Sequence, residues 1–219
     1  MCRIETKTYS SAPINFGEIM RYANAKAADE TLKSLVNSCV SECEKESAVR
    51  YAVCFAETPV SANGDEADFS FFKTKSKDLV TALRGAESAL IFAATVGFGI
   101  DRLIKKYSVI NPSKALIFQA LGAERVETFT DLFLTEYEKT HGVRLSPRFS
   151  AGYGDLPLTV QKDVFRLLTP QKRLGLTLND SLLMSPSKSV TAFAGINGTC
   201  EKDGIPCKDC GMANCGYRR

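Results

Sequence analysis

Apolar residues recur along this chain with two different periods, and each period predicts a type of element. Three- and four-residue spacing of Phe16, Ile19, Met20 and Ala23 predicts a short helix over residues 13–26. The same spacing of Leu32, Leu35, Val36, Cys39, Val40 and Cys43 predicts a longer amphipathic helix over residues 27–46. Residues 49–57 and 67–72 alternate and are rich in β-formers, with the polar turn Ala62-Asn63-Gly64-Asp65 between them, so they predict a strand pair. A helix over residues 77–84 stops at Gly85, and the unbroken apolar run 88–95 predicts a buried strand. Gly97 and Gly99 break that run before residues 100–107 turn helical.

Asn111-Pro112 opens the longest predicted helix, which runs to about Thr140 and stops at Gly142. Its periodicity turns Leu116, Ala120, Val126, Phe129, Phe133 and Tyr137 inward. A further helix spans 157–168, and Thr169-Pro170 starts another short one. Residues 176–184 and 189–196 predict a strand pair joined through Ser185-Pro186-Ser187-Lys188. Helices and strands do not alternate strictly, so the expected class is α+β, with one domain over residues 1–196 and a cysteine-rich tail over 197–219.

Composition narrows the function. The net charge of +3 is small and spread along the chain, with no basic run interleaved with aromatics, which argues against a nucleic-acid groove. The first residues lack the apolar core of a signal peptide, and the apolar stretch 88–99 is too short to span a bilayer. A soluble cytoplasmic protein is the expectation. Of eight cysteines, Cys39, Cys43 and Cys54 fall on apolar faces, where packing is their expected role. Cys200, Cys207, Cys210 and Cys215 crowd into the polar tail with one C-x2-C knuckle, a pattern that points to a bound metal. Zinc and an iron–sulfur cluster both fit this spacing, and a redox-active or disulfide-linked tail is the alternative.

Two places carry candidate ligand chemistry. The segment from Arg148 to Pro157 holds a guanidinium, a phenol, a carboxylate and the glycines Gly152 and Gly154, too broken for helix or ordinary strand. Such a loop ahead of a helix suits a small polar ligand, with Arg148 as a fork for carboxylate or phosphate; a plain surface turn is the other reading. On the long helix, Glu127 and Asp131 form an i, i+4 acidic pair that could face a cationic ligand. The single histidine, His141, sits at a predicted helix C-terminus, which accounts for it without catalysis and leaves Ser-His-Asp chemistry without a base.

Together these residues resemble the activation domain of cobalamin-dependent methionine synthase, and more closely its stand-alone anaerobic relatives. The likeness lies in Arg148-x-x-x-Gly152-Tyr153, in Gly154-Asp155-x-Pro157 with Gln161 after it, in Val126-Glu127-Thr128-Phe129, and in residues 182–190. The resemblance implies a C-shaped domain with a twisted, largely antiparallel sheet flanked by helices. It implies S-adenosylmethionine as ligand and cobalamin held by a partner, either a methionine synthase module or another corrinoid protein. Carried over residue by residue, Arg148 would pair with the ligand's carboxylate and Glu127 would hold its ammonium. Ala151 and Gly152 would contact it through the main chain, with Tyr153 beside them and Asp155 in the same ligand loop. A corrinoid-protein interaction module with a structural metal tail and no S-adenosylmethionine site is the alternative.

Overall fold

The computed structural model describes residues 3–25, 29–46 and 48–198, so the four tail cysteines lie outside the described residues. The chain begins with β1 (Ile4–Tyr9), α1 (Phe16–Tyr22), α2 (Glu30–Lys45) and β2 (Tyr51–Pro59). Three short strands follow, β3 (Ser61–Asn63), β4 (Glu66–Asp68) and β5 (Lys73–Lys75), then α3 (Lys77–Ala82) and β6 (Ser88–Thr95). Next come α4 (Gly99–Ile110), the long α5 (Pro112–His141), α6 (Gln161–Leu168) and α7 (Pro170–Leu174). The chain then forms β7 (Thr177–Leu178), β8 (Met184–Ser185) and β9 (Ser189–Ile196).

The predicted helices start where their capping residues stand. Asn15 Oδ1 accepts from Glu18 N at 3.2 Å, Asp29 Oδ1 from Leu32 N at 2.7 Å, and Asn111 Oδ1 from Lys114 N at 3.1 Å. Gly142, at φ 63°, closes α5.

The main sheet has the order β1-β2-β6-β9, and every neighbouring pair is antiparallel. Alternation along β2 and β6 divides the core in two. Val53, Phe55, Leu90 and Phe92 face α1, α2, α4 and α5, whereas Cys54, Ala56, Ile91 and Ala93 face α3, α6, α7 and the small β3-β4-β5 sheet. On the first face Phe133 of α5 meets Phe55 and Phe92, with ring centroids 5.1 and 5.7 Å apart. Helices thus flank a largely antiparallel sheet, as the predicted α+β class requires. Burial pushes the Cys39 and Cys43 thiols up to about 11 and Cys54 up to about 12, so all three are neutral packing groups near pH 7. Among the described residues no helix is long and apolar enough to cross a membrane.

Several expectations need correction. The turn at Gly64 (φ 62°) joins β3 to β4 rather than pairing residues 49–57 with 67–72. The stretch 67–72 leaves its ladder after Asp68, because Ser70 N bonds back to Asp68 Oδ1 at 2.8 Å and Ser70 takes φ 70°. Residues 176–184 and 189–196 do not pair with each other. Instead β7 pairs with β8, and β9 pairs with β6 at the edge of the main sheet, where Leu145 and Phe149 bridge to Ile196 and Phe193 on its outer side. Leu116 is 55% exposed; Ile117, Phe118 and Leu121 take the inward positions, with Phe118 stacked on Tyr107 of α4.

Candidate functional site

The loop after α5 is held at both ends. Phe149 N donates to Phe193 O at 2.8 Å and Phe193 N returns to Phe149 O at 2.9 Å, which fastens the loop to β9. Gly152, at φ 88°, then turns the chain, and its N–H bonds to Leu156 O at 3.0 Å. Gly154, at φ 53°, packs against α3 so closely that a Cβ there would lie 2.1 Å from Asp78 Oδ2.

Asp155 completes this second attachment. Its carboxylate accepts from Ser76 Oγ, from Lys77 N at 2.8 Å and from Asp78 N at 3.3 Å, all at the N-terminus of α3. Partial burial works against its charge, but the Ser76 hydroxyl and these N–H donors outweigh it and hold its pKa below the ordinary carboxylate value. This stabilisation is complete above the unfolded-state pKa of about 4 and is lost as pH falls through the lower folded-state value. Asp155→Ala should therefore lower stability at neutral pH by about 1 kcal/mol, with wild type and variant converging in acid. Urea denaturation at neutral and acid pH measures both. The family resemblance groups Asp155 with the ligand residues; its carboxylate is bonded to the N-terminus of α3, and Asp155 does not line the cavity described next.

Arg148 lies against the long helix. Its Nη2 donates to Glu127 Oε2 and its Nη1 to Asp131 Oδ1, so the acidic i, i+4 pair and the loop arginine form one cluster. Burial lowers the guanidinium pKa, but the two carboxylates more than compensate and hold it above its usual value. One cation between two carboxylates leaves one negative charge over.

This cluster opens on a cavity of about 360 Å³. Val126 and Glu127 of α5 form one wall, and Arg148, Ala151 and Tyr153 form the loop side. Ser189, Val190 and Thr191 of β9 supply the sheet side, and Met184 and Gln161 complete the lining. The cavity thus joins four of the six predicted ligand residues, while Gly152 forms the turn between Ala151 and Tyr153. Gln161 is 6% exposed, and its Oε1 has no hydrogen-bond partner among the described residues. A buried acceptor without a donor is unfavourable by itself, so it suits a ligand that brings one. Gln161 belongs to the motif that carries the resemblance, but no local pattern marks it as a ligand residue, because its burial depends on where α6 meets the sheet.

Among the described residues no group of three or more His, Cys, Asp or Glu side chains could hold a metal ion. The sequence matches no protein-family model and no curated protein. The structure, however, is similar to a crystal structure of the MetH reactivation domain bound to AdoHcy. The TM-score is 0.68 at 13% identity, covering 93% of this chain and 81% of that one. The chain therefore has the fold of that reactivation domain.

Proposed function

We propose that the chain binds S-adenosylmethionine in the Arg148 cavity and supports reductive methylation of cobalamin carried by a partner methionine synthase or other corrinoid protein. The observation that carries this proposal is the joining of Arg148, Glu127 and an unpartnered Gln161 Oε1 in one cavity. The fold likeness to a reactivation domain bound to AdoHcy supports it. The ligand's amino-acid end offers a carboxylate for the guanidinium and an ammonium for the acidic pair. Its sulfonium gives it one positive charge in excess, which complements the surplus negative charge of the cluster. Main-chain groups at Ala151 and Gly152 and the half-exposed Tyr153 would hold the rest. S-adenosylmethionine supplies an already activated methyl group, so this chain's residues have to bind and orient rather than act as acid or base.

Gln161 provides a specific check. Gln161→Met keeps the side-chain length and removes the unsatisfied acceptor. It should weaken S-adenosylmethionine binding roughly three- to tenfold while leaving the melting temperature unchanged or slightly higher. Parallel calorimetric and thermal titrations read both effects. Transfer of labelled methyl from S-adenosylmethionine to reduced cobalamin on a purified corrinoid protein tests the function itself. The chain should accelerate that transfer, and no acceleration at any ratio would contradict the proposal.

One observation favours a second assignment, an interaction module without this ligand. Both terminal nitrogens of Arg148 are already bonded to Glu127 and Asp131, so the arginine could serve to pin the loop to α5. That assignment predicts capture of a corrinoid protein with no dependence on S-adenosylmethionine. For the tail, we propose that Cys200, Cys207, Cys210 and Cys215 bind an iron–sulfur cluster or zinc. Metal analysis and a visible spectrum of protein prepared without oxygen separate the two.

A further inference from the structure

A second cavity, of about 440 Å³, lies on the α7 side of the main sheet. Its floor is one rung across three strands, where Thr8 of β1 pairs with Ala52 of β2 and Ala52 pairs with Thr95 of β6. Short side chains at all of these positions leave room above the sheet. Three guanidinium groups line the opening, Arg50 before β2, Arg102 on α4 and Arg173 on α7, and among the described residues no carboxylate lines it with them.

Among the described residues, none of these three side chains makes an ion pair or donates a hydrogen bond, whereas Arg21, Arg125, Arg148 and Arg166 each pair with a carboxylate. The nearby acid Asp101 is committed elsewhere, its carboxylate accepting from Ser187 N at 2.8 Å and from Ser187 Oγ. The backbone on the Arg50 side of the opening is tied down. Arg50 N donates to Val96 O at 2.9 Å and Gly99 N to Ala48 O at 3.0 Å. A Cβ on Gly97 would lie 2.6 Å from Ala48 O, so the two segments touch main chain to main chain. Three like charges therefore stand around one opening with no carboxylate among its described lining residues, an arrangement that favours an anion. Phe98, 45% exposed, adds an apolar ring to the same lining.

Arginine forks match phosphate oxygens in geometry as well as charge, and the ring offers a surface for an organic group. We propose that this cavity binds a small phosphate ester, with the phosphate among Arg50, Arg102 and Arg173 and the organic part on Phe98. The proposal does not depend on the function of the Arg148 cavity. The two are neighbours, divided by the turn after β8: Met184 and Ser189 line one and Pro186 the other.

Calorimetry on the full chain at low salt tests it with adenosine monophosphate, inorganic phosphate, and adenosine as the uncharged control. Adenosine monophosphate should bind more tightly than inorganic phosphate, and adenosine should not bind. Arg102→Gln and Arg173→Gln should each weaken the ester about tenfold. Phe98→Ala should weaken the ester and leave inorganic phosphate unchanged, and Arg148→Gln should affect neither. Arg102, Arg173 and Phe98 are exposed, and unchanged melting temperatures would show that those variants fold. Absence of heat with either phosphate probe, equal affinity for the two, binding unchanged in an Arg102→Gln/Arg173→Gln variant, or binding confined to long polyanions would each overturn the proposal.

Discussion

Arg125→Met should cost about 3–5 kcal/mol of folding stability, a large effect for one substitution. Arg125 is 2% exposed and Glu124 is fully buried, and they form an ion pair at 2.5 Å inside the helical face of the core. Burial alone would lower the arginine's pKa, but Glu124 reverses that and raises it. Removing the cation leaves Glu124 with its bonds to Asn15 N at 2.8 Å and Thr128 Oγ1 at 2.8 Å but with no counter-charge. It also orphans the carbonyls of Ala12 and Pro13, which accept from the Arg125 guanidinium. The pair therefore anchors the segment that leads into α1. Replacing both members, as Glu124→Leu/Arg125→Met, should recover part of the loss, because no buried charge then stands alone. Urea unfolding of wild type and both variants measures this, and a loss under about 1 kcal/mol for Arg125→Met would contradict it.

Arg148→Ala should weaken S-adenosylmethionine binding at least tenfold, since the proposed binding mode then loses a charge-assisted fork to the ligand's carboxylate. Its stability cost should be much smaller than that of Arg125→Met. The Arg148 side chain is 21% exposed, and its partners Glu127 and Asp131 are 38% and 65% exposed, so water can solvate the carboxylates left behind. Glu127→Gln should weaken binding in the same direction by removing the partner proposed for the ammonium. Calorimetry and thermal melting on the same samples separate the two effects. A large loss of stability with no change in affinity would assign Arg148 to pinning the loop on α5.

Much of this architecture was legible because its strongest elements carry their own signals. The α5 helix declares itself through Asn111-Pro112, its apolar stripe and Gly142, and β6 through eight consecutive residues that suit a buried strand. The arginine loop and the acidic pair on α5 were both visible as residues, and the structure brings them into contact across 17 and 21 positions. What stayed hidden depends on tertiary partners. Strand β1, Ile-Glu-Thr-Lys-Thr-Tyr, is polar because it is an edge strand, and Lys7 and Tyr9 reach Glu136 of α5 at 2.6 Å. Strand pairing around β9 could not be read from turns, since hydropathy marks a strand as buried without naming its neighbour. The commitment of Asp155 to the N-terminus of α3 joins residues 77 and 78 positions apart, which no local pattern reveals.

The most direct test is a crystal structure of the chain grown with saturating S-adenosylmethionine. The ligand should lie in the cavity between α5, the loop and β9, with its carboxylate on Arg148, its ammonium beside Glu127, and a donor within hydrogen-bond distance of Gln161 Oε1. Ligand bound elsewhere on the molecule, or none at saturation, would contradict the account.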